Sequence, residues 1–245
     1  MSASSGLKAA VGFLTPLGGG QVAPTPGALA WFPAVGAGMG MLLGAGWCRA
    51  RRVLPGPVAG ALMVAADCAL TGALHLDGLA DAADGLLAHV PKRARLEIMA
   101  EPQVGSFAVV AVSMAVTAKA AAFGALQPSA LVLASVYCSS RSLMALGAQL
   151  LPYARPGGLA TAFLPTAGRK DVAAAAGAAG AGAALLVASL AAGRRGAGAI
   201  LAGWATGAAV LLLAQRRLGG FTGDVLGAAG VACETCSLLA AGRWA

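Results

Sequence analysis

The stretch His75-Leu76-Asp77-Gly78-Leu79-Ala80-Asp81-Ala82-Ala83-Asp84-Gly85 decides how this chain is read. It holds three of the nine acidic residues of a 245-residue chain. On a helix, steps of about 100° per residue put Asp81 roughly 40° and Asp84 roughly 20° to either side of Asp77. Three carboxylates on one face repel each other, so the pattern asks for a cation. Ligands that are all oxygen suit a hard ion such as Mg²⁺. Gly78 and Gly85 leave room for backbone or substrate to come close.

Around this acidic stretch the chain is strongly apolar. Hydrophobic residues make up 58% and charged residues 11% of it. The charged share of a soluble domain is about 25%, so this composition cannot cover a water-facing surface. It implies an all-α, polytopic integral membrane protein, read as one domain over residues 1–245. Apolar segments long enough to cross a bilayer fall near 28–48, 54–74, 105–126, 129–151, 172–193, 197–215 and 224–241. That makes about seven transmembrane helices, with a short helix on the cytoplasmic side carrying the acidic motif. Residues 7–14 form a short apolar segment suited to the interface. Residues 15–27, rich in Gly and Pro, read as a connection.

The net charge of +8 does not point to nucleic acid. The basic residues stand singly or in small groups between apolar segments, as topology signals and contacts to lipid headgroups do. Strict alternation puts the connections 75–104, 152–171 and 216–223 on one side. That side carries nine basic residues, from Lys8 and Lys92 to Arg217, against six on the other, from Arg49 to Arg243. The bias places the motif side in the cytoplasm, although the Arg49/Arg51/Arg52 cluster runs against it. The five cysteines suggest no disulfide framework, and Cys233-Glu-Thr-Cys236 lacks the second pair that a zinc site needs.

Other candidate residues lie outside the motif. Glu97 and Glu101 share a helix face before Pro102, Glu101 as a candidate metal ligand and Glu97 as a candidate substrate contact, and Arg95 beside them is a candidate phosphate ligand. Gly105 and Ser106 begin the next span, where free backbone N–H groups can hold an anion. Gly219-Gly-Phe-Thr222-Gly223-Asp224 reads as a turn around a ligand, with Asp224 as a further metal ligand. Arg141, among Ser139, Ser140 and Ser142, suits phosphate. Tyr153 and Arg155 suit either substrate or the interface. His75 is a candidate base, and Asp67 and Glu234 are acids inside spans, functional by default.

The motif from His75 to Gly85, with Arg95-Leu-Glu-Ile-Met99, Val104-Gly-Ser-Phe107, Pro152-Tyr-Ala-Arg155 and Gly220-Phe-Thr-Gly-Asp224-Val-Leu-Gly-Ala228, resembles the cobalamin-5'-phosphate synthase family. The resemblance runs in order along nearly the whole chain. It implies a bacterial inner-membrane adenosylcobinamide-GDP ribazoletransferase with its active site on the cytoplasmic side. Such an enzyme transfers the adenosylcobinamide phosphate moiety from adenosylcobinamide-GDP to α-ribazole or its 5'-phosphate, with GMP leaving and Mg²⁺ required. Asp77, Asp81 and Asp84 carry over as metal ligands, and Glu97 and Asp224 as site residues. The implied partners are the corrinoid nucleotide, α-ribazole (phosphate) and membrane lipid. A homo-oligomer or an association with other B12-pathway enzymes is compatible with it. This chain has Ala100-Glu101 where the family usually has a basic residue and Asp, Pro16 where an Arg is common, and Ala108 where Gly is usual.

Two other readings fit the sequence less well. CDP-alcohol phosphotransferases also space aspartates in a membrane, but their Asp-Gly-x-x-Ala-Arg has no counterpart at Ala82-Ala83. A proton-coupled transporter could use Asp67 and Glu234 as a relay, but leaves the acidic motif unexplained.

Overall fold

The computed structural model describes residues 3–18, 25, 27–155, 157, 161 and 170–242. Most of the 15–27 and 152–171 connections lies outside these residues. Among those described, the chain is helical: α1 (Ala3–Leu14), α2 (Phe32–Val53), α3 (Gly56–Thr71), α4 (Leu74–Leu87), α5 (Lys92–Ile98), α6 (Ser106–Ala125), α7 (Ala130–Leu150), α8 (Lys170–Leu218) and α9 (Gly223–Ala241).

The ends of these helices follow local chemistry. Proline sits in the first turn of both α2 and α3, where its missing N–H costs nothing. Ser129 caps α7 by accepting from Val132 N, and Thr222 caps α9 by accepting from Val225 N. The break after α3 is the sharpest. Gly72 and Ala73 both take left-handed backbone, with φ of 61° and 56°. Alanine adopts this conformation rarely, so the turn is strained at Ala73. The result is a bend of 92° between α3 and α4.

The helices Leu29–Val53, Ser106–Ala125, Ala130–Leu150, Val172–Leu218 and Gly223–Ala241 are each apolar and long enough to cross a membrane, and α3 with α4 makes a sixth, bent candidate. The 47 residues of Val172–Leu218 would extend about 70 Å at 1.5 Å per residue, more than twice a bilayer core of about 30 Å. The helix breaks at Gly193, whose φ of 59° and ψ of −144° are not helical. Gly177 and Gly180 pack on Leu146 and Ser142 of α7, while Gly207 and Gly147 bring Leu143 and Leu211 together on the same stretch. Both halves of α8 therefore lie beside the same part of α7, and the helix is an antiparallel hairpin. The seven apolar segments expected from the sequence each find their helix, and the chain is a multi-pass membrane protein.

Small residues set the packing. Gly36, Gly40 and Gly44 recur every fourth position on α2 and face α7. A Cβ on Gly40 would lie 2.5 Å from the Leu133 carbonyl oxygen, and one on Gly44 would lie 2.5 Å from the Ala130 Cα. Side chains on that stripe would separate the two helices. Leu42, Leu62, Met114, Leu190 and Leu212 point outward and stay exposed, as side chains facing lipid do.

Inside the bundle four charges meet. Lys119 of α6 donates to Asp67 of α3 at 2.9 Å and to Glu234 of α9 at 2.6 Å. Arg141 of α7 reaches Glu234 at 2.5 Å, and Ser140 donates to the same oxygen at 2.8 Å. Two cations and two anions thus join four helices with no net charge. Both acids are paired with Lys119, which does not suit the proton-relay reading.

Candidate active site

The bend at Gly72-Ala73 turns α4 across the end of the bundle, where α6 and α9 begin. The acidic stretch therefore lies on the second arm of the bent α3–α4 pair, against the starts of α6 and α9. Gly78 packs on the first turn of α9, where a Cβ would lie 3.0 Å from the Asp224 Cα. That contact brings Asp224 to the motif, although 140 or more residues separate them in sequence.

The three motif aspartates do not have equal surroundings. Asp77 is exposed, Asp81 is half-buried and Asp84 is buried. Asp84 accepts from Gly105 N at 2.7 Å and from Ala108 N at 3.0 Å. Both of its oxygens are thus engaged at the start of α6. Asp84 was expected to be a metal ligand; here it holds α4 to α6. Gly105 and Ser106 were expected to offer free N–H groups to an anion. The chain's own carboxylate takes that place, and Ser106 is left exposed.

Asp81 lies among the other carboxylates. Burial pushes its pKa from 3.8 up to about 6, with Asp224, Asp77 and Asp84 adding to the rise and Arg155 opposing it. Such a cluster favours a cation. Among the described residues, however, no three His, Cys, Asp or Glu converge as a ready-made metal cage. The donor set fits an ion that keeps water and takes phosphate oxygens as ligands beside one or two carboxylates, which is how Mg²⁺ is usually held. Glu101 is exposed and is not among the charges acting on Asp81.

Two loops complete the site. Ala154 N donates to Phe221 O and Phe221 N to Pro152 O, both at 2.9 Å, so Pro152–Arg155 runs alongside the turn before α9. This pairing sets Arg155 against Asp224 at 3.2 Å, and Arg155 also donates to Met99 O at 3.1 Å. Thr222 donates to Asp224 at 3.2 Å while it caps α9. Tyr153 stacks edge-on against Phe221 with centroids 5.4 Å apart. Burial raises its phenol pKa, so it stays protonated near neutrality.

These parts enclose a cavity of about 310 Å³ lined by Phe13, Leu74, His75, Asp77, Gly78, Met144, Tyr153, Arg155, Gly223, Asp224 and Gly227. This volume is at the lower end for small-molecule sites, which run from about 300 to 1,000 Å³. His75 is 5% exposed, and neither ring nitrogen has a hydrogen-bond partner among the described residues.

Other expected site residues lie elsewhere. Arg95 donates to the Gly85 and Leu86 carbonyls, both at 2.9 Å, and Arg217 also donates to Leu86 O. These guanidiniums satisfy the carbonyl end of α4, so Arg95 is a cap and not a free phosphate ligand. Glu97 is exposed and pairs with Arg93 at 3.0 Å along its own helix. Arg141 is 1% exposed and bound to Glu234 in the bundle interior. Its charge is already neutralised there, which differs from the expected phosphate contact. Phe13, Leu74 and Met144 carry no signal of the site in the sequence, because apolar residues give no local sign of a cavity.

A profile of the family described as cobalamin-5-phosphate synthase matches residues 6–242. The adenosylcobinamide-GDP ribazoletransferase of Syntrophobacter fumaroxidans is 39% identical over 218 residues, covering 86% of this chain and 84% of its own. The protein of the same name from Chlorobaculum tepidum is 32% identical over 277 aligned positions, covering 98% and 96%. That of Stutzerimonas stutzeri is 39% identical, covering 84% of each chain. No solved structure matches.

Proposed function

The chain belongs to the cobalamin-5-phosphate synthase family, and on that premise we propose how its cavity works as an adenosylcobinamide-GDP ribazoletransferase. The enzyme joins the nucleotide loop in cobalamin biosynthesis. A ribose hydroxyl oxygen of α-ribazole, or of its 5'-phosphate, bonds to the phosphorus attached to cobinamide. The bridging P–O bond of the pyrophosphate breaks, GMP leaves with that oxygen, and the hydroxyl proton passes to a motif carboxylate. The observation that carries this reading is that Asp77 and Asp224 line one cavity with Arg155, with Asp81 beside them close enough to feel both carboxylates.

One or two of Asp77, Asp81 and Asp224 would hold Mg²⁺, whose chemistry is to neutralise the pyrophosphate oxygens and the departing charge. Asp84 keeps the carboxyl end of α4 fixed on α6, so Asp77 faces the cavity and Asp81 lies beside it. Arg155 neutralises part of the cluster and is within reach of a phosphate. The cavity lies on the side of the bundle that carries more basic residues, which supports a cytoplasmic-facing site in the bacterial inner membrane.

The test is a reconstitution. The purified protein in liposomes, given adenosylcobinamide-GDP, α-ribazole phosphate and Mg²⁺, should release GMP and form a cobamide. No product beside an active control enzyme would reject the assignment.

A further inference from the structure

The cavity has two unlike walls. Asp77, Arg155 and Asp224 form the polar one, and Phe13, Leu74 and Met144 the apolar one. Behind the apolar wall a narrow cleft of about 20 Å³ is lined by Phe13, Leu29, Phe32, Met144, Ala148, Phe221, Gly223 and Leu226. Phe13, Met144 and Gly223 border both spaces, so the cleft adjoins the cavity across these residues. Phe13 and Phe32 are stacked, with centroids 5.9 Å apart and planes inclined by 18°. Gly223 directly precedes Asp224, so this apolar region adjoins the acidic cluster.

We propose that the apolar wall is the subsite for the aromatic base of the riboside acceptor, with the cleft taking an alkyl substituent on the edge of that base. This rests on the transferase reading above. The reaction involves three bulky groups. The corrin macrocycle is far larger than a 310 Å³ cavity and must stay outside. Guanine presents N–H and C=O groups along its edges. Against Phe13, Met144 and Leu74 these would lose water and gain no partner, at about 1–3 kcal/mol for each group. The benzimidazole of α-ribazole is flat and apolar, and its outer edge carries only methyl groups. It suits an aromatic wall, where ring stacking adds to area burial. The cleft is too small for a ring but has room for one methyl-sized group, since about 10–15 Å³ of this measure holds a water molecule. With the base there, the ribose reaches toward the acidic wall, where its hydroxyl must attack.

The test compares acceptors on the wild-type enzyme in liposomes: ribosides of dimethylbenzimidazole, unsubstituted benzimidazole and hydroxybenzimidazole, read as GMP release. The proposal expects kcat/KM to fall by about tenfold on removing the methyl groups and further on adding a hydroxyl. In Ala148→Leu, which fills the cleft, the methylated base should lose its advantage while KM for adenosylcobinamide-GDP stays unchanged. Phe13→Ala should raise KM for every riboside. If turnover is normal but all three ribosides react alike, or if Phe13→Ala and Ala148→Leu raise KM for the donor instead, the subsite assignment is overturned and the transferase reading stands. If the wild-type enzyme releases no GMP with any acceptor, both fall together.

Discussion

Asp84 and Gly105 hold two helices together: the aspartate Oδ2 accepts from the glycine N–H at 2.7 Å, while its Oδ1 accepts from Ala108 N at 3.0 Å. The motif thus divides its labour. Asp84 builds the site, Asp77 lines it and Asp81 stands beside it.

Asp84→Ala should therefore cost stability first. Losing a helix-capping side chain costs about 0.5–2 kcal/mol, and the start of α6 is left with unpaired N–H groups. The variant should melt at a lower temperature in detergent and lose activity through misplacement of α4. Asp81→Asn should do the reverse. It should abolish turnover while leaving insertion and melting temperature at or above the wild-type values, because it removes a like charge. Equal melting temperatures for Asp84→Ala and wild type would rule out the division.

Gly105 faces Asp84 with no room to spare. A Cβ there would lie 2.5 Å from Oδ1 of the aspartate. Gly105→Ala should push the carboxylate off its two N–H donors and cost about 1–3 kcal/mol. Thermal unfolding in detergent measures this, and an unshifted melting temperature would show that the contact relaxes freely.

The acidic cluster should make metal binding depend on pH. The pKa of Asp81 is raised from 3.8 to about 6. A raised carboxylate favours the folded state below its unfolded pKa, and that contribution is lost as pH rises through the folded value. In the metal-free protein, stability should decline between about pH 4 and 6. Mg²⁺ must displace the proton, so its affinity should climb over the same window and level off above it. Thermal shifts against Mg²⁺ at several pH values test this. In Asp81→Asn the pH dependence should weaken, with Asp224 beside it supplying what remains.

Lys119 lies between Asp67 and Glu234, at 2.9 Å and 2.6 Å. Lys119→Met would leave Asp67 without its cation and Glu234 with only Arg141. Breaking a buried pair on one side costs about 3–5 kcal/mol. The expected outcome is poor recovery of folded protein in detergent, with Lys119→Arg recovering part of it. Wild-type yield and melting temperature in Lys119→Met would show the network to be dispensable.

The sequence by itself determined the membrane class, the position of each apolar segment and the identity of the acidic stretch. These rest on composition and on short-range spacing, both of which are local. The motif-to-family resemblance was legible for the same reason. Tertiary structure decided what each charge does. Helical spacing sets Asp77, Asp81 and Asp84 on one face, but burial along α4 is uneven because α6 begins against only one end of it, so Asp84 becomes a cap. Arg141 looked available for phosphate until Glu234, 93 residues away, proved to be its partner. Arg95 likewise meets the carbonyl end of α4, which exists only because α4 stops there. The apolar wall of Phe13 and Met144 belongs to two helices far apart in sequence, and no spacing rule joins them. A charge or an aromatic ring is local, but its partner is chosen by the packing of the whole bundle.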